Sequence, residues 1–153
     1  MLTKEEAIKK LEHFCAYRER NASEVRRKLL QLGVTDESDI SFIANHLMAH
    51  NFLNEKRYIQ AYVQGKINIK KWGKTKIRSV LKEQYIDSSL IENQLTQIDE
   101  FQYLQNLQLL LEKKWHSIKS EDIWIKKQKC LHYALQKGYE YDKISFILKK
   151  ISK

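Results

Sequence analysis

The sequence predicts an all-α protein made of three tandem three-helix repeats. Three observations predict it. Proline is absent and only four glycines interrupt the chain, so little in it breaks a helix, whereas hairpin-rich β folds need frequent turn residues. Apolar residues recur at i, i+3 and i+4 along most of the length. The apolar skeleton Val25, Leu29, Val34 also returns as Ile77, Leu81, Ile86, and again as Cys130, Ala134, Tyr139, displaced by 52 and then 53 residues, which marks a repeated helical unit. Hydrophobic residues at 42% and charged residues at 31% suffice for a core and exclude a disordered tail.

The first helix is expected from Lys4 to Arg20, with Ala7, Ile8, Leu11, Phe14 and Cys15 on one face. A second helix starts at Asn21, where the Asn-x-x-Glu pattern to Glu24 satisfies the orphan amides of a helix start, and Gly33 supplies the permissive residue that ends it. Its inward side is Val25, Leu29 and Leu32. After the TDES turn, capped by Asp36, the third helix carries Ile40, Ile43, Ala44, Leu47 and Met48 at helical spacing. The next round opens at a cap on Asn54 with Tyr58, Ala61 and Tyr62, continues from Gly73, which takes the place of Asn21, through Ile77 and Leu81, and closes with Leu90, Ile91, Leu95 and Ile98. The last round runs through Phe101, Leu104, Leu107, Leu111 and Trp115, restarts after Ser120, and ends beyond Gly138 with Ile144, Ile147, Leu148 and Ile151.

These rounds set repeat boundaries at residues 1–53, 54–99 and 100–153. A unit of about fifty residues buries only a small core by itself, so neighbouring units are expected to pack on one another in an elongated, curved molecule that tracks long surfaces. Cys15 and Cys130 have no CxxC partner and fall at apolar helical positions, as small hydrophobes in a reducing compartment. The amino terminus alternates charge with hydrophobe, unlike a secretion signal, and no apolar run reaches membrane-spanning length. The expectation is a cytoplasmic monomer without membrane contact.

Net charge is +9, and its placement is more informative than its size. Between Arg57 and Lys82 there is no acidic residue, while Arg57, Lys66, Lys70, Lys71, Lys74, Lys76, Arg78 and Lys82 are all basic. A single-sign cluster costs self-repulsion, so it points to a polyanionic or acidic partner, nucleic acid first. Lys74, Arg78 and Lys82 are spaced i, i+4, i+8 and form a basic ridge opposite Ile77, Val80 and Leu81. Tyr58, Tyr62 and Trp72 interleave with the charges. Base stacking or an interface anchor fits them, but Tyr58 and Tyr62 equally fit the apolar stripe of their helix.

No catalytic, metal or cofactor site assembles from the sequence. Gly73-Lys74-Thr75 resembles the tail of a phosphate-binding loop, but Asn68 stands where that motif needs its first glycine, and no buried strand precedes it. His46 and His50 are spaced i, i+4 without a third ligand at a diagnostic distance, so surface histidines explain them better than zinc.

Several of these elements together resemble the RecX family, bacterial regulators of the RecA recombinase. Tyr17-Arg18-Glu19-Arg20 followed by Asn21 through Leu29 is similar to the family's R-x-R-S-x-x-E-L-R-x-K-L signature, with asparagine replacing its serine. Phe52 to Tyr58, Tyr62 to Lys66, and Gly73 with Ile77 resemble its F-x-D-E-x-R-F, F-V-x-x-R and G-x-x-x-I elements. Gln136-Lys137-Gly138-Tyr139 departs from the two arginines the family tends to place before Gly-Phe or Gly-Tyr. The resemblance implies a non-enzymatic regulator of homologous recombination, DNA repair and the SOS response. It would bind RecA along the groove of the RecA-DNA filament and inhibit its ATPase, strand-exchange and coprotease activities. The contact candidates are Arg18, Arg20, Arg26, Arg27, Arg57, Lys66, Lys70, Lys71, Lys74, Arg78 and Lys82. Two other readings stand beside it: a stand-alone DNA-binding helical module acting through phosphate contacts, and a purely structural helical scaffold.

Overall fold

The computed structural model describes residues 2–153, and among them the chain forms nine α-helices and no strand. It divides into two compact units, Met1–Ala61 and Tyr62–Lys153. The first holds α1 (Lys4–Tyr17), α2 (Ala22–Gln31), α3 (Glu37–Ala49) and the start of α4 (Glu55–Asn68). The second holds the rest of α4 with α5 (Lys74–Glu83), α6 (Ser88–Thr96), α7 (Glu100–Ser117), α8 (Ile123–Gln136) and α9 (Tyr141–Ile151).

In the first unit the caps fall where side-chain chemistry places them. Thr3 caps α1, Asp36 caps α3, and the Asn54 carboxamide accepts from the Arg57 amide at the start of α4. At α2 the capping box is complete: Asn21 accepts from the Glu24 amide at 2.8 Å while Glu24 accepts from the Asn21 amide at 3.1 Å. The core gathers Ala7, Leu11, Cys15, Val25, Leu29, Ile40, Ile43, Leu47 and Leu53. Two details differ from the periodicity. Met48 is half exposed, because the buried stripe runs Ile40, Ile43, Leu47 and the next residue turns 100° away from it. And α1 stops at Tyr17 rather than Arg20, with Arg18 extended. The Arg20 side chain supplies the reason: it folds back to lie 3.7 Å over the Phe14 ring and donates to the Phe14 carbonyl at 3.0 Å, satisfying an orphan acceptor at the helix end.

The recurrent skeleton has a concrete origin. In each trio the second helix ends in a Schellman motif whose left-handed residue is Gly33, Tyr85 or Gly138, with φ of 90°, 60° and 97°. The following amide reaches back five residues each time, Val34 to Leu29, Ile86 to Leu81 and Tyr139 to Ala134. The apolar pair that closes this motif, with the buried residue one turn earlier, is the pattern seen three times. Tyr85 is the odd member, a non-glycine residue at positive φ whose side chain is 92% exposed. A left-handed L-residue costs about 1–2 kcal/mol, and glycine returns about 0.4–1 kcal/mol of that to the unfolded chain. Tyr85→Gly is therefore expected to raise stability by up to about 1 kcal/mol in urea denaturation, and a destabilised variant would contradict this account.

In the second unit α6, α7 and α8 are capped by Asp87, Asp99 and Asp122. The α7 face that points inward is Tyr103, Leu107, Leu111 and Trp115, spaced by four, which leaves Phe101 in the first turn on the far side and 75% exposed, not inward as its hydrophobicity suggested. Gly73 begins α5 without a side-chain cap. Its helix is capped instead by the third trio. The Gly73 amide donates to the Lys137 carbonyl at 2.7 Å, the Lys74 amide to the Tyr103 hydroxyl at 2.9 Å, and the Thr75 amide to the Gly138 carbonyl at 3.0 Å. Where the first trio carries its own capping box, the second borrows its caps, and this joins α5 to α7 and to the α8–α9 turn. A β-carbon on Gly73 would stand 2.2 Å from the Gly138 carbonyl group, so glycine here serves close approach of two backbones.

Candidate functional site

The basic stretch that looks uniform in sequence is not uniform in space. Arg57 is bound by both Glu19 oxygens, at 2.8 and 2.9 Å, and donates to the Asn51 carbonyl. On α5, Lys74, Arg78 and Lys82 do occupy successive turns, but Arg78 is held by Glu92 at 2.8 and 2.9 Å and Lys74 lies 3.6 Å from Glu100. The Arg78 hydrogen bond holds the Glu92 carboxyl below the ordinary carboxylate range. Both acids come from beyond the acid-free stretch, so reading that stretch alone overstates the free charge. Among the described residues, Lys66, Lys70, Lys71 and Lys82 form no ion pair.

The amino-terminal candidates divide likewise. Arg18 pairs with Glu24 at 2.6 Å and Arg26 with Glu37, while Arg27 is exposed and forms no ion pair among the described residues. Arg20 is only 9% exposed and joins α1 to α2, so its guanidinium is committed within the fold. A 52-residue shift relates Arg20 and Phe14 to Trp72 and Lys66. In that second pair the cation and the ring have changed places, with the Lys66 ammonium 4.5 Å from the Trp72 ring and Lys76 at 4.3 Å from it. Trp72 is thus a half-buried ring flanked by two ammonium groups. Tyr58 is buried, and Tyr62 is half-buried with Lys66 at 5.2 Å from its ring.

A feature that sequence reasoning missed lies in the second unit. A groove of about 460 Å³ is lined by Lys70, Lys71, Lys113, Lys114, Lys137, Tyr133, Asn106, Leu109, Leu110 and Ser117. No carboxylate lines it, and none of its five lysines is ion-paired among the described residues. Its walls are tied together. Buried Asn106 on α7 donates to the Ile67 carbonyl at 3.1 Å, and the Tyr139 hydroxyl donates to the Lys71 carbonyl at 2.8 Å. Lys71 itself sits at φ 57°, turning the chain there. The Tyr133 ring carries the Lys114 and Lys137 ammonium groups at 4.9 and 5.7 Å. The available signal was the repeat: a shift of two units, 105 residues, relates Lys9 to Lys114 and Lys28 to Tyr133. In the first unit Lys9, Lys10, Lys28 and Arg20 line a comparable groove of about 470 Å³.

No group of three or more His, Cys, Asp or Glu side chains among the described residues is arranged to hold a metal. His46 faces Glu12 at 3.3 Å and stacks on His50. Cys15 and Cys130 are buried, and burial raises both thiols above their usual range, away from thiolate chemistry. No helix among the described residues is long and apolar enough to cross a membrane.

Comparison with known proteins bears on the family and the fold. Residues 54–95 match a family model described as "RecX, second three-helix domain", and residues 101–148 one described as "RecX, third three-helix domain". A protein named "Regulatory protein RecX" from Clostridium botulinum (strain Eklund 17B / Type B) is 32% identical over 149 residues, 96% of this chain and 67% of that protein. One of the same name from Vibrio parahaemolyticus is 30% identical over 148 residues, 95% of this chain and 89% of that protein. For the Clostridioides difficile relative the identity is 28% over 116 residues, and the match spans only 55% of that protein. The crystal structure of RecX from Lactobacillus salivarius superposes with a TM-score of 0.84 at 26% identity, over 97% of this chain and 96% of that one.

Proposed function

This chain belongs to the RecX family, and we propose that it restrains the RecA recombinase by binding RecA and lying in the groove of the RecA-DNA filament. Bound there, it slows ATP hydrolysis, strand exchange and coprotease activity, and so damps recombination and the SOS response. It does so without chemistry of its own, as a cytoplasmic monomer with repeat domains at 1–53, 54–99 and 100–153. The observation that carries the reading is family membership across nearly the whole chain. The unpaired Lys66, Lys70, Lys71 and Lys82, with Arg27 and the exposed edges of Arg18 and Arg26, supply cations for acidic protein surface and phosphate. Arg57, Lys74 and Arg78 keep their internal carboxylates, and Arg20 supports the surface indirectly, by closing the α1–α2 junction.

The test is a titration of DNA-dependent ATP hydrolysis by RecA from the same cell. Amounts well below one protein per RecA subunit are expected to slow it, and an unchanged rate across the whole titration would refute the reading. A second reading, DNA binding without RecA, is favoured by the five-lysine groove.

A further inference from the structure

We propose that the groove between α7, α8 and the Lys70–Lys71 turn is a binding site for the phosphodiester backbone of single-stranded nucleic acid. This deepens the second reading above and rests on it, independently of RecA.

Five lysines line one groove with no carboxylate in its lining, while acidic partners neutralise Lys74, Arg78 and Arg57. Like charges lining one groove repel one another in the free protein, and an anionic ligand that displaces their counterions relieves that cost. The groove is held in this form by two ties, Asn106 to the Ile67 carbonyl and Tyr139 to the Lys71 carbonyl, so the backbone of the Lys70–Lys71 wall is set before a ligand arrives.

Ligand class follows from the kind of cation and from the floor. The fork-to-fork carboxylate contact among the described residues is made by arginine, with both terminal nitrogens of Arg26 on the two Glu37 oxygens, where a planar fork meets a planar acceptor. The groove contains no arginine. Lysines acting as point charges suit successive tetrahedral phosphates, whose register along a strand need not be fixed. Leu109, Leu110 and Tyr133 give the groove an apolar side on which a sugar or an unstacked base can rest, a surface that duplex DNA does not offer a partner for. The uncharged hydrogen-bonding side chains Asn106 and Ser117 already donate to the Ile67 and Lys114 carbonyls, so binding is expected to be indifferent to sequence.

The experiment is fluorescence anisotropy of a labelled oligothymidylate with the full chain, across a salt series. The groove variant is K113Q/K114Q/K137Q, compared with the charge-matched K149Q/K150Q/K153Q at the exposed carboxyl-terminal end. The groove variant is expected to bind about 100-fold more weakly at 0.1 M salt, with a log–log salt slope shallower by about 2, since each phosphate contact on a single strand contributes about 0.7. The control is expected to stay within about threefold of the parent, and both variants to keep the parent's circular dichroism and melting midpoint. Equal affinity of the two variants overturns the proposal. Displacement of the oligonucleotide by a polyglutamate peptide at equal charge concentration overturns it too, and assigns the groove to an acidic protein surface. The RecA titration separates the two ideas: a parent chain that binds the oligonucleotide through the groove but leaves RecA ATP hydrolysis unchanged supports the groove and sinks the RecA reading.

Discussion

Gly73→Ala is expected to unfold much of the Tyr62–Lys153 unit, although the substitution adds a single methyl group. The cause is not the local backbone, since φ −84° and ψ 165° suit any residue. It is the contact across to the α8–α9 turn, where the new β-carbon would lie 2.2 Å from Gly138 and 2.3 Å from the Tyr139 nitrogen, all of it backbone. A rotamer change cannot relieve that, so α5 must move away. Displacement of about 1 Å breaks three amide bonds at once: Gly73 to the Lys137 carbonyl, Lys74 to the Tyr103 hydroxyl, and Thr75 to the Gly138 carbonyl. A buried donor left unpaired costs about 1–3 kcal/mol and a partly exposed one less, so with the clash itself the total reaches roughly 4 kcal/mol, a large share of the 5–15 kcal/mol that holds a domain together. Urea denaturation followed by circular dichroism measures it. Gly65→Ala is the contrast, because nothing lies within 4 Å of its added carbon in the interior of α4. That change is expected to stabilise by up to about 1 kcal/mol through helix propensity. Were both variants within 1 kcal/mol of the parent, the borrowed caps would have no energetic weight.

The same junction explains what sequence reasoning could and could not see. Capping, periodicity and the repeat are local, and the sequence stated them: Asn21 with Glu24, Asp36, Asn54, and the apolar triplets from Val25 to Tyr139, all buried except the half-buried Val34, stand where the pattern put them. Gly73 was legible as a helix start, but its partner Gly138 is far along the chain, and no spacing rule connects them. Pairing of charges was hidden for the same reason. Glu92 and Glu100 reach Arg78 and Lys74 through the fold, so counting signs in one window could not show which cations stay free. Lys113 and Lys114 on α7 and Lys137 at the end of α8 carry no signal in sequence; only the packing of α7 on α8 sets them beside Lys70 and Lys71. Arg20 shows the converse, a basic residue inside a family-like motif whose side chain turns inward to close the end of α1.

The second large effect is expected in alkali. Tyr103 and Tyr139 are at most 2% exposed, with rings 5.2 Å apart. The Tyr103 hydroxyl donates to the Glu140 carboxylate while accepting from the Lys74 amide, and the Tyr139 hydroxyl donates to the Lys71 carbonyl. Burial pushes both phenols well above their ordinary range, and the bond to Glu140 pushes Tyr103 further. With folded values above unfolded ones, the native chain keeps protons that the unfolded chain surrenders above about pH 10. Stability from the two phenols is therefore complete below that pH and falls as pH rises toward the folded values, by about 1.4 kcal/mol per pH unit for each tyrosine. Together they remove nearly 3 kcal/mol per unit. Lys143 adds to the loss: burial alone would lower its value, but bonds to Glu100 and proximity to Glu140 raise it, so its stabilising charge also disappears as pH climbs. Urea midpoints measured from pH 8 to pH 11.5 are expected to drop steeply above pH 10, with the part of the tyrosinate absorbance that belongs to the two buried rings rising only in step with unfolding. Tyr139→Phe is expected to remove about half of the slope while costing about 1 kcal/mol at neutral pH, because the Lys71 carbonyl loses its donor. If every tyrosine ionises near pH 10 while the helices remain intact, the sealed junction around Tyr103 is wrong, and with it the support it gives to the Lys70–Lys71 wall of the groove.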